Sequence, residues 1–161
     1  MFRVDNAIRY AKSNMIFVMV FTLVNLALFF FNLNVSFPFS MFSPMYTGLW
    51  AYSYFLNGYT AQALVYVCLF ILIMGSFLAI YLLTINRPKL LLVALILYVL
   101  DTAFMIYFYL DLGDFSWVID ALFHAWVIFS LAFGAYAAFK AKPKNDYDQT
   151  VQEILNNNER V

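Results

Sequence analysis

From Ser13 to Ile85 the chain carries no Asp, Glu, Lys, Arg or His. A short chain has too little interior to hide such a run, because surface grows relative to volume as domains shrink. One helix crosses a bilayer core with about 20 apolar residues. The run is therefore longer than one span and has to fold back within or along the lipid. The rest of the chain agrees: 65% of its residues are hydrophobic and 11% charged, where soluble domains are roughly half apolar and about a quarter charged. One cysteine and five glycines leave no room for a disulfide scaffold or a collagen-like repeat. The fold class read from this is an all-α polytopic membrane protein.

Four spans follow from the apolar runs, at about residues 15–32, 60–85, 90–110 and 117–139. Asn86-Arg87-Pro88-Lys89 and Asp111-Leu112-Gly113-Asp114 read as the tight polar turns around the third span. The organisation expected is a four-span domain over 1–142 and a short tail over 143–161. In the tail, Pro143 stops the last helix, and Asn145 would cap a short helix with Tyr147, Val151, Ile154 and Leu155 on one face.

Basic residues set the orientation. Arg3, Arg9 and Lys12 precede span one, Arg87 and Lys89 join spans two and three, and Lys140, Lys142, Lys144 and Arg160 follow span four. All fall on one side, which the positive-inside rule places in the cytoplasm together with both termini. The expected location is the cell membrane. The basic start followed by an apolar stretch mimics a signal peptide, but the stretch is too long and no small-residue cleavage site follows it. It reads as an uncleaved first helix. Val4, Ile8, Ala11 and Met15 recur at helical spacing, which predicts an interfacial helical lead-in. Nothing in the charge distribution points to nucleic acid.

Residues 34–59 are uncharged and rich in aromatics: Phe37, Phe39, Phe42, Tyr46, Trp50, Tyr52, Tyr54, Phe55 and Tyr59. Ser43-Pro44 predicts a helix start, with Ser as N-cap and Pro at the first helical position. Asn57-Gly58 predicts its stop. The segment between is too short to span. It reads as an interfacial helix in the aromatic belt, the alternative being a re-entrant lid over a cavity between helices. Asn34-Val35-Ser36 matches a glycosylation sequon, which matters only in a eukaryotic secretory compartment.

Ionisable side chains inside a span are costly and usually face the bundle interior. Asp101 falls in span three, while Asp120 and His124 stack one turn apart in span four. Asp101 stands about 13 Å, and His124 about 10 Å, below the loop that joins the two spans, at 1.5 Å per residue. The three are therefore expected to meet. Tyr98 and Thr102 flank Asp101, and Asn25, within a polar line of Thr22, Asn25 and Asn32 on span one, is expected to support the cluster or bond another helix. Gly134 and Ala138 continue the His124 stripe and would let another helix approach closely.

Four chemistries suit such a cluster. It can clamp helix register, adding specificity more than stability. It can relay a proton or ion, since histidine titrates near neutrality. It can hold a divalent metal through Asp101, Asp120 and His124, although one histidine is a thin ligand supply. It can use His124 as a general base. Catalytic motifs are missing: no GxSxG, HExxH, P-loop or GxGxxG is present. Ser116 shares a face with His124 but lies about 12 Å along the axis, too far for a Ser–His pair. Cys68 reads as a small apolar residue of span two.

The leading functional expectation is a non-enzymatic membrane protein that acts by interaction: an accessory, regulatory or immunity-type subunit with a protein partner or a second copy, and no cofactor. The alternatives are a small oligomeric proton- or ion-coupled transporter component using Asp101, Asp120 and His124, and an intramembrane metal-dependent enzyme.

Overall fold

A computed structural model describes residues 4–33, 37, 40–112 and 118–141. The sequon at Asn34, the Ser116 alignment and the tail with its expected Asn145-capped helix lie outside the described residues. Four helices are long and apolar enough to cross a bilayer: α1 (Val4–Phe30), α3 (Thr60–Leu83), α4 (Leu91–Leu112, entered through a 3-10 turn at Pro88–Leu90) and α5 (Val118–Lys140). Between the first two lies α2 (Phe42–Leu56). Among the described residues there is no strand. The chain is an all-α, multi-pass membrane bundle with a fifth, shorter helix. Asp111 and Leu112 lie inside α4, where the sequence predicts a turn.

Helix ends follow local chemistry. Asn32 takes φ +55 at the close of α1, and the Leu33 N–H reaches back to the Leu28 carbonyl at 3.0 Å. This is the left-handed stop that Asn tolerates better than most residues. Asn32 thus ends the helix instead of extending a polar line along it. Gly58 takes φ +79 after α2, and the Tyr59 N–H bonds the Tyr54 carbonyl at 2.9 Å, the stop expected from Asn57-Gly58. The chain then turns straight into α3, so α2 and α3 form an antiparallel hairpin. Tyr54 and Tyr66 stack across it, 5.4 Å apart and 7° from parallel.

The core runs along the seam of α1 with α5 and α4. Ala7, Ala11, Met15 and Val18 are buried. The first turns of α1 therefore pack into the bundle instead of lying on the membrane surface as the lead-in was expected to do. Gly134 is the cause: a Cβ there would collide with the Cβ of Ala11 and approach the Ala7 carbonyl oxygen to 3.3 Å. Glycine and alanine let the two backbones meet, the packing device that lipid favours. At the end of the bundle holding Arg9, Lys12 and Lys140 (the basic end), the Lys89 ammonium lies 5.6 Å from the Phe139 ring and that of Lys140 lies 4.6 Å from Tyr136. Their stems run along apolar surface as snorkelling side chains do.

Gly134→Ala is expected to destabilise the bundle by about 1–3 kcal/mol through overpacking at this crossing. Gly75→Ala in α3, where a Cβ meets nothing within 4 Å, should gain up to about 1 kcal/mol of helix propensity. Thermal unfolding of both variants in the same detergent checks the opposite signs.

Candidate functional site

A helix begins with N–H groups that have no partner within it. In water solvent satisfies them, whereas in hydrocarbon each stranded donor costs several kcal/mol. The start of α2 lies beside the middle of α4: Asp101 is about 15 Å from the start of a helix about 33 Å long at 1.5 Å per residue. The segment is therefore re-entrant, and its first turn needs acceptors at membrane depth.

All of them are supplied. The Met41 N–H donates to Thr22 Oγ1 at 2.8 Å. The Phe42 N–H donates to Asp101 Oδ2 at 3.0 Å and the Ser43 N–H to Asp101 Oδ1 at 2.7 Å. Pro44 has no N–H to satisfy. The cap residue is Met41, with no side-chain cap of its own. Ser43 is therefore not the N-cap and Pro44 is not the first helical residue. The cap comes from α1 and α4, and the Asp101 charge faces the positive end of the α2 dipole.

Upstream, Asn25 holds the incoming strand of backbone. Its Nδ2 donates to the Phe37 carbonyl at 2.6 Å, and its Oδ1 accepts from the Phe37 N–H at 2.7 Å. Asn25 thus serves the re-entrant segment; its side chain does not bond Asp101 or His124. Thr22 Oγ1 also donates to the Val18 carbonyl at 2.7 Å, so its hydroxyl works as donor and acceptor. The Phe42 ring anchors the turn among Tyr46, Phe104, Phe108 and Tyr109, with centroids 4.2–5.8 Å apart.

Asp101 and His124 do meet, as the matched depths predict. They are 5% and 2% exposed, and Nε2 of His124 lies 3.8 Å from Asp101 Oδ2. Tyr98, 1% exposed, stacks on the imidazole at 5.2 Å and 17°. Thr102 turns inward on its own helix, donating to the Tyr98 carbonyl at 2.8 Å. Asp120 differs from the expectation. It stands half-buried in the first turn of α5, where a carboxylate suits the helix dipole. It reaches His124 through its main-chain carbonyl, 2.9 Å from Nδ1. A carbonyl only accepts, so Nδ1 carries the proton of that bond.

A cavity of about 100 Å³ lies under α2, lined by Asn25, Ser40, Tyr46, Tyr109, Asp120 and His124 among others. Among the described residues no group of three His, Cys, Asp or Glu is placed to hold one metal ion. Asp101, Asp120 and His124 do not assemble a ligand set, since both Asp101 oxygens face backbone N–H groups.

Asp101→Ala should strand two backbone donors at about 1–3 kcal/mol each and free the first turn of α2. Asp101→Asn keeps one of the two acceptors and strands one donor, so it should cost about half as much as Asp101→Ala. Unfolding midpoints and hydrogen exchange at the Phe42 and Ser43 amides check the order. Comparison of the chain with protein-family models, with curated proteins and with solved structures finds no match.

Proposed function

We propose that this is a small membrane protein that acts by binding another membrane protein, without chemistry or transport of its own. It sits in the cell membrane with the basic end and both termini in the cytoplasm. The observation that carries the reading is where the intramembrane polar groups are spent. Asp101, Thr22 and Asn25 all bond the backbone of the re-entrant segment, so they serve architecture and are not held ready for a substrate.

The outward surface supports it. On helix α3 only Ala63 and Phe77 are fully buried, and Leu64, Ile71 and Leu72 are 61–65% exposed. Beside it an apolar groove of about 610 Å³ opens between α1, α2 and α3, lined by Leu26, Phe30, Gly48, Ala51, Ala63 and Val67 among others. Small residues in such a groove let a partner helix approach closely. The partner is a transmembrane helix of another protein or of a second copy.

A photo-crosslinking residue at Ile71 or Leu72 should yield a discrete protein adduct in native membranes, and one at Leu122 on α5, on a different helix and 67% exposed, should not. Purified protein in liposomes should pass no protons or ions above the level of empty vesicles. A flux that disappears in Asp101→Asn would overturn the interaction reading in favour of transport. Adducts with lipid alone from both α3 positions would remove it too.

A further inference from the structure

We propose that His124 and Asp101 form a one-proton site, loaded from the cavity under α2, that adjusts how tightly the re-entrant helix is held. The geometry of donors and acceptors points to it. With Nδ1–H given to the Asp120 carbonyl, the neutral imidazole presents a lone pair at Nε2. That lone pair faces Asp101 Oδ2 across 3.8 Å, so two acceptors oppose each other. Nε2 is buried and has no hydrogen-bond partner, and a stranded buried polar atom calls for an explanation. The pair is one hydrogen short.

A proton supplies it. It enters through the cavity, whose lining includes half-buried Asp120, and adds to the Nε2 lone pair. Nδ1–H stays on the Asp120 carbonyl, and the Asp101 carboxylate balances the new charge. Two carboxylates face His124: Asp101 across 3.8 Å and Asp120 one turn away on its own helix. Helix α4 brings Asp101, Tyr98 and, across the cavity, Tyr109; α2 brings Tyr46 and α1 Asn25; α5 itself adds Asp120. Helix α3 carries no Asp, Glu, Lys, Arg or His, and no lysine or arginine lines the cavity.

Loading has a structural consequence. Oδ2, which faces His124, also accepts from the Phe42 N–H at 3.0 Å, whereas Oδ1 holds the Ser43 N–H at 2.7 Å. A charged Nε2–H shares Oδ2 with the Phe42 N–H and draws that oxygen toward the ring, leaving Oδ1 to Ser43. Protonation therefore loosens the first bond of α2 and leaves the second in place. This makes the site a regulator of the docked helix and does not depend on the interaction reading above.

The chain has a single histidine, so histidine labelled with ¹⁵N gives one imidazole spin system in the full-length protein in lipid nanodiscs. Its ring nitrogens and the Phe42 and Ser43 amides are followed across a pH series. The expected result is one transition from the Nδ1–H form to the doubly protonated ring. The Phe42 amide should move on the same curve, and Ser43 much less. Asp120→Asn should keep the main-chain bond and the coupling of Phe42 to the ring while moving the midpoint of the transition, because the Asp120 carboxylate also acts on the His124 charge. Asp101→Asn should keep one of the two cap bonds and abolish the shared movement of the Phe42 amide with the ring. A ring that stays in one neutral form throughout overturns the proposal, as does a ring that titrates while Phe42 stays still.

Discussion

Hydrocarbon offers a helix start nothing to bond, and this chain places one in the middle of a membrane. The carboxylate of Asp101 makes that tolerable. It takes two adjacent backbone donors, Thr22 takes the one before them, and Pro44 removes the next by its own chemistry. The remaining fold accommodates this arrangement. Helix α1 must bring Thr22 and Asn25 to the same depth as Asp101, and the crossing at Gly134 fixes α1 against α5. Helix α5 in turn seals His124 behind Asp101. An Asp at mid-span is expensive by itself. Against a helix N-terminus it becomes an anchor, its charge set against a dipole and its oxygens against fixed N–H groups.

Much of this was legible in the sequence where the signal is compositional or periodic. The uncharged run and the basic residues on one side define four spans, and the spans found match those expected to within a few residues except at the start of α1. A constant rise per residue sufficed to match the depths of Asp101 and His124. Asn57-Gly58 named a turn whose backbone only such residues adopt easily.

What escaped the sequence is what depends on contacts distant in the chain. The cap of α2 sits 58 and 59 positions away from the amides it binds, so the local Ser43-Pro44 signal placed the start two residues too late. Asn25 was recognisable as a polar group in need of a partner, but its partner is the Phe37 backbone and not another side chain. Asp120 was placed correctly on its helix, yet it is only half-buried there and bonds the ring through its carbonyl. One clue was present: Pro44 marks a helix start inside an uncharged stretch, which requires an acceptor from elsewhere, and Asp101 is the acid nearest the middle of a span.

The claim on which everything rests is that the start of α2 lies at the depth of Asp101. Nitroxide labels placed singly at Ser40, Leu100 and Asn57 in lipid nanodiscs report depth through their relative access to oxygen and to a polar relaxer. Ser40 is expected to match Leu100, deep in the core, with Asn57 near the headgroups. A Ser40 label reading the same shallow depth as Asn57 would contradict the account.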